Sequence, residues 1–269
     1  MDEYDEFSQS IPYIKYVDCR HTAHVTLCNY VPPSDPRISR INDDFYYVYS
    51  TSEIRAYTKG ETGTKSDHRR SINRAFNGIK KIINCNYGQP SHVRFITLTY
   101  AENMQDNSRI KTDWNSFRRR MNKRYGEFEY LYVKEKQERG AWHLHCVLFF
   151  DSPAPYMANE DVRAMWSYGF VNIQGFADDI NNLGNYLCAY LTDNKDEGKK
   201  GGRLLNYEAG VRLYNCSRGI KRPTERSISF DEYTSMITAD ELEKITTRDS
   251  ELRTPSGKMI HCRYELYRK

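Results

Sequence analysis

The stretch Glu135-Lys136-Gln137-Glu138-Arg139-Gly140-Ala141-Trp142-His143-Leu144-His145, running on into Cys146-Val147-Leu148-Phe149-Phe150, constrains this chain more than any other. Glu129-Tyr130-Leu131-Tyr132-Val133 before it reads as a strand, and Arg139-Gly140 supplies turn chemistry between two apolar runs. Side chains alternate faces along a strand, so His143 and His145 project to one side and Leu144 to the other. A hairpin that turns about Arg139 sets Glu135 across from His143. Two imidazoles and a carboxylate then converge on one face of adjacent strands, as a metal site with open coordination positions. A lone His-x-His is common without metal; the facing acid and the strand pattern around it carry the assignment. Glu138 falls in the turn, and Gln137 shares the face of Glu135 as an outer partner.

At 269 residues, 39% apolar and 28% charged, the chain can bury one sizeable core, or one domain with appendages. No run approaches the roughly 18 apolar residues of a membrane span, and the acidic start Met1-Asp2-Glu3-Tyr4-Asp5-Glu6 lacks a signal-peptide pattern. Seven cysteines without a regular framework suggest a reduced, cytoplasmic protein. Cys19, His21, His24 and Cys28 lie close together as a conceivable zinc set, but their spacing fits no finger pattern.

The net charge of +4 says little, whereas its distribution says more. Bases concentrate in Lys65 to Arg70 with Arg74, Lys80 and Lys81, in Lys111 to Arg124, and in Lys199 to Arg203. Any one cluster is as readily a solvated helix face. Three of them around a candidate metal site, among 22 Tyr, 11 Phe and 3 Trp, point to a nucleic-acid partner. Arg69, Arg70, Arg74, Arg118, Arg119, Arg120 and Lys123 are the expected phosphate contacts.

Ile72, Phe76, Ile79 and Ile83 predict an amphipathic helix from about Asp67 to Asn84, and Val93 to Tyr100 is the clearest strand. Lys111 to Tyr125 predicts a second basic helix with a Trp114, Phe117, Met121 stripe. After the hairpin, Asn159-Glu160-Asp161 caps a short helix through Trp166, and Gly169 to Ile173 is a strand. A helix runs from Asp178 to Leu191, and Val211 to Cys216 returns as an edge strand. Thr238 to Ile245 reads as a capped helix and Lys258 to Tyr267 as a final strand. Phe45 to Ser50 is a short strand; the rest of residues 1–60 is hard to read. The expected fold is α+β, a central antiparallel sheet with helices on one side. Its division is an N-terminal extension 1–60, a core 61–204 and a C-terminal α/β extension 205–269. No G-x-x-x-x-G-K-[ST] is present, so no nucleotide cofactor is expected.

Tyr186 and Tyr190 stand four apart on the expected helix and share a face. Such pairs usually pack. Beside a metal site and basic surfaces, a phenol can instead attack a DNA phosphodiester, if a cation offsets its ordinary pKa of about 10.

Phe95-Ile96-Thr97-Leu98-Thr99-Tyr100, the Glu135 to His145 stretch and Tyr186-Leu187-Cys188-Ala189-Tyr190 follow one another in the order of three motifs. Together they resemble the HUH endonuclease superfamily, specifically the rolling-circle replication initiators of small phages and plasmids. The similarity spans about Ser71 to Asp193. It implies a ferredoxin- or RRM-related palm, with His143, His145 and Glu135 binding Mg²⁺ or Mn²⁺. It also implies a tyrosine nucleophile that leaves a 5′-phosphotyrosine and a free 3′-OH, and a strand carrying Thr97 and Thr99 near the DNA. Partners would be single-stranded origin DNA, a host helicase and a polymerase, with no membrane. Relatives place a lysine three residues after each tyrosine; here those positions are Ala189 and Asp193, and Lys195 is the nearest substitute. Tyr190 ranks above Tyr186 because the charged, glycine-ended run Asp193 to Gly198 follows it. A transposase or relaxase of the same superfamily and a catalytically weakened origin-binding protein are the alternatives. A zinc hydrolase would carry H-E-x-x-H on a helix, which is absent.

Overall fold

The computed structural model describes residues 13–30, 38–42, 45–48, 52–56, 65–137, 139–175, 211–239, 242–253, 257 and 259–269. In chain order the described strands begin with β1 (Tyr13–Asp18), β2 (Thr22–Cys28), β3 (Ile38–Arg40), β4 (Phe45–Val48) and β5 (Glu53–Ala56). The helix α1 (Lys65–Asn86) leads to β6 (Val93–Tyr100), α2 (Arg109–Tyr125), β7 (Glu129–Lys136) and β8 (Trp142–Phe149). Then come α3 (Asn159–Trp166), β9 (Gly169–Gly175), β10 (Tyr214–Cys216), β11 (Thr224–Ile228), α4 (Phe230–Thr238), β12 (Glu243–Arg253) and β13 (Met259–Arg268). The protein is α+β with antiparallel sheets. No helix among the described residues is long and apolar enough to cross a membrane.

The chain divides into two compact units, residues 19–21 with 64–223, and residues 1–18, 22–63 and 224–269. The first is built on a five-stranded sheet in the order β10-β7-β8-β6-β9. β6 forms where alternating β-branched and aromatic residues can be buried, and Val93, Phe95, Ile96, Leu98 and Tyr100 are all core. On α1, Ile72, Phe76, Ile79 and Ile83 recur at helical spacing and are buried together in the same core. α1 lies over the face that carries Tyr214 and its pairing partner Val133, since Gly78 sits against the Tyr214 hydroxyl. α2 and α3 pack the opposite face: Trp114 rests on Tyr130 and Tyr132, and Trp166 meets Tyr100 edge-on. The Tyr100 hydroxyl donates to Asp113 at 3.0 Å beneath α2. Helices therefore cover both faces of this sheet, where the sequence suggested one. Both basic helices are amphipathic, and periodicity cannot say which face each one meets.

The second unit carries a five-stranded sheet in the order β11-β1-β2-β13-β12 and a three-stranded sheet β3-β4-β5. β1 and β2 thus pair with strands more than 190 residues away in sequence. The terminal stretches 1–60 and 205–269, separate in the sequence-based division, contribute strands to one sheet. A buried carboxylate ties it to α4: Glu265 accepts from the Tyr233 hydroxyl at 2.6 Å, from Lys244 Nζ at 2.8 Å and from the Tyr267 hydroxyl. These donors satisfy a charge that would otherwise be costly to bury.

Two expectations fail in this unit. The helix expected over Thr238–Ile245 is instead α4, Phe230–Thr238, and Glu243 onward is strand β12. The start signal is Ser229, whose hydroxyl accepts from the Glu232 N–H at 3.1 Å in an S-x-x-E arrangement. The cysteines are also not all reduced. Cys28 and Cys262 face each other across β2 and β13 and are disulfide-linked, with Cα atoms 4.3 Å apart. That link removes Cys28 from the Cys19, His21, His24, Cys28 set. A smaller correction concerns α3, whose cap is Ala158, without a side-chain bond; Asn159 is its first residue.

Candidate metal centre

β7 and β8 are joined by a short turn in which Gln137 N–H donates to Ala141 O and Gly140 N–H to Gln137 O, both at 2.8 Å. Gly140 has φ +90, a conformation other residues rarely adopt. Arg139 anchors the turn by donating to the carbonyls of Ala101 and Tyr100. The resulting register places Glu135 opposite His143 and Val133 opposite His145. On the other side of β8, β6 places Thr99 opposite His143 and Thr97 opposite His145.

The three ligand-type side chains meet. Glu135 Oε2 lies 2.7 Å from His145 Nε2 and 3.8 Å from His143 Nδ1, and one donor atom from each of the three lies within 4.8 Å of the others. Among the described residues this is the one group of His, Cys, Asp and Glu suited to hold an ion. Glu135 and His145 are buried, at 5% and 4% exposure, while His143 is partly open to solvent. Phe95 stacks on His145 with centroids 5.9 Å apart and fixes its plane.

The second nitrogen of each ring is also engaged. His143 Nε2 is 2.8 Å from Thr99 Oγ1, and His145 Nδ1 is 3.5 Å from Thr97 Oγ1. The nitrogens turned toward Glu135 are therefore His143 Nδ1 and His145 Nε2. A carboxylate only accepts, so the 2.7 Å contact to His145 Nε2 needs a proton between the two atoms. Glu135, His143 and His145 could instead hold a divalent cation, which would take over the role of that proton. Two imidazoles and one carboxylate fit such an ion with coordination positions left over for substrate.

The same row continues across the sheet. Thr99 pairs with Phe170 and Thr97 with Asn172 on β9, so Phe170 and Asn172 share the face of the histidines. Both are exposed, Phe170 to 60%. β9 can approach this closely because a Cβ on Gly169 would stand 2.2 Å from Thr99 O. Phe170 escapes sequence reading because Phe170, Val171 and Ile173 look like one apolar run.

The other expected residues scatter. Arg118, Arg119 and Arg120 do not act as one patch: Arg119 is exposed, Arg120 Nη1 donates to Met165 O on α3, and Arg118 is half-buried and lines a cavity beneath α2. Lys123 and Arg74 are exposed. Arg69 and Arg70 belong to α1, but their side chains lie outside the described residues. Glu138, Tyr186, Tyr190, Lys195 and the 199–203 bases lie outside them too. Gln137 Oε1 accepts from Arg139 at 3.1 Å and serves the turn.

Residues 93–195 match the family model of the ORF2-type replication-associated proteins. The segment that holds the site is similar to that family of replication-associated proteins. The match supports a rolling-circle replication initiator, and the HUH superfamily is consistent with it. It spans less than half of the chain and includes β6, the hairpin and the 186–190 tyrosines. No curated protein matches the chain.

Proposed function

We propose that this protein is a metal-dependent, origin-specific enzyme that nicks and rejoins single-stranded DNA to start and end rolling-circle replication. The observation that carries the reading is the convergence of Glu135, His143 and His145 within a segment matched to a replication-associated family. Glu135, His143 and His145 would hold Mg²⁺ or Mn²⁺, which when bound draws charge from the scissile phosphate. Thr99 and Thr97 orient the imidazoles. The exposed ring of Phe170, at the end of the row, gives a base a surface to stack on.

The nucleophile in this reading is Tyr190, with Tyr186 as its partner for the closing reaction. The phenolic oxygen attacks phosphorus as the bond to the 3′-oxygen breaks. The phenol's proton leaves to solvent, and the 3′-oxygen gains one to become the 3′-OH that a polymerase extends. The 5′-phosphate stays on the tyrosine, conserving the bond energy for rejoining. Lys195 supplies the cation that Ala189 and Asp193 do not.

Labelled oligonucleotides tiling the origin of the protein's own element, incubated with Mn²⁺ or EDTA and run on a denaturing gel, test this directly. A protein–DNA adduct formed with Mn²⁺ and absent with EDTA is expected. Glu135→Ala, His143→Ala, His145→Ala and the Tyr186→Phe/Tyr190→Phe double variant should each lack it. Binding without an adduct across the whole origin would favour an origin-binding protein. In that case Ala189 and Asp193 mark the loss of strand transfer.

A further inference from the structure

The two sides of the histidine row differ in what lies over them. Toward β7 and β10 the face is covered by α1, and Val133, the partner of His145, is fully buried there. Toward β9 the face is open. Phe170 stands two strands from His143, about 10 Å at the usual strand spacing of about 4.8 Å, and Asn172 follows it on the same face. Both side chains are exposed. β9 is the outermost strand of this sheet among the described residues, so the row ends at a rim. A DNA strand with a phosphate at the metal centre has room to continue over this rim and none beneath α1.

A third side chain reaches the rim from behind. Arg163 belongs to α3, which packs the opposite face, and its guanidinium lies 5.3 Å from the centre of the Phe170 ring. Arg163 is exposed and meets no carboxylate among the described residues, and the Asn172 amide makes no hydrogen bond with any of them. A ring, a cation and an amide side by side supply the three contacts of a nucleotide. The ring takes the face of the base, the cation the phosphate and the amide the edge of the base.

The amide also narrows the choice of base. It offers a donor beside an acceptor and is answered by the same pair reversed. Adenine shows that pair on either side of its amino group, at N7 and at N1, so the amide meets it on both exposed edges. The pyrimidines show it only on their pairing edge, and the outer edge of guanine carries two acceptors.

We propose that this rim is the subsite for the nucleotide next to the scissile phosphate, and that Asn172 makes it select adenine. Phe170 stacks the base, Arg163 faces the phosphate, and Asn172 sets the base preference. The subsite rests on the reading of the metal centre as a single-strand nicking site, but its test uses binding alone.

Fluorescein-labelled oligo(dA) and oligo(dT) of equal length are titrated with the full chain in EDTA at several salt concentrations, and anisotropy is followed. In Asn172→Ala the ratio of oligo(dA) to oligo(dT) affinity should fall by about fivefold or more, the low end of what one bidentate amide–adenine pair contributes. Arg163→Gln should weaken both oligonucleotides alike and keep that ratio. It should also reduce the slope of log affinity against log salt by about 0.7, the share of one phosphate on a single strand. Both positions are exposed, so melting temperatures should match that of the unaltered protein. A ratio that stays the same or rises in Asn172→Ala overturns the selection of adenine. An unchanged salt slope in Arg163→Gln overturns the path over the rim, and if neither oligonucleotide binds the unaltered protein the subsite falls as well. An Mn²⁺-dependent adduct with an unchanged ratio strikes the subsite alone. A ratio that falls as expected, without any adduct, strikes the nicking chemistry alone.

Discussion

Thr99 and Thr97 decide which nitrogen of each histidine is offered to an ion. A hydroxyl 2.8 Å from His143 Nε2 holds that ring with Nδ1 toward Glu135, and such outer partners are typically worth about 10–100-fold in metal affinity. Thr99→Val removes the hydroxyl at nearly constant volume, so Mn²⁺ affinity measured by calorimetry should fall by about tenfold or more. Thr97→Val should cost less, because its contact is 3.5 Å, the outer limit of a hydrogen bond. Equal Mn²⁺ affinity in Thr99→Val and the unaltered protein would mean that the ring is held by packing alone. The meeting of Glu135 with the histidines was legible in the sequence, because strand alternation and one turn position determine it. The threonines were legible only as residues of a strand. Their register against β8 depends on a pairing between segments more than 40 residues apart, which no local pattern encodes.

On α2 the helical repeat separates neighbours in sequence. Arg119 and Lys123 stand four apart, both exposed, while Arg118 lines the cavity beneath α2 and Arg120 bonds to α3. Arg119→Gln/Lys123→Gln should weaken DNA binding and reduce the slope of log affinity against log salt by about 1.4–1.8, if both reach phosphates. An unchanged slope places this face off the DNA path. On β9, Phe170→Ala should lower single-strand affinity by about 1–3 kcal/mol, the usual worth of one base-stacking ring, in anisotropy titrations. No change would leave Phe170 an exposed strand residue without a stacked base. Elements whose burial is local were read well: β6 spans Val93–Tyr100 as expected, and α1 and α2 follow their apolar stripes. β1 and β2 were not, since each pairs on one side with a strand far along the chain; β12, an edge strand paired with its neighbour β13, was missed because its first residues were assigned to the expected helix. α4 was displaced by several residues because the Ser229 start signal was passed over in favour of a later one.

Across the whole molecule, the Cys28–Cys262 link closes a loop with a sequence separation of 234 residues. Loops of that length constrain the unfolded chain strongly, by about 2–5 kcal/mol in practice. Cys28→Ser/Cys262→Ser should therefore lower the urea midpoint of the unit that holds β2 and β13, and the unaltered protein in reductant should behave alike. Matching unfolding curves with and without reductant would show that the strands hold without the bond.

The interleaving of early and late strands also sets an order of assembly. During synthesis the residues of the metal-centre unit, up to 223, have all been made while β1 and β2 still lack β11 and β13. At about 5–20 residues per second, β13 arrives some seconds later. For that interval β2 exposes an unpaired edge on a growing chain, a period when a chaperone or a second nascent copy can compete for it. Chains cut short anywhere before β13 would keep that edge for life, so premature stops near the C-terminus should produce aggregation rather than a shorter working protein.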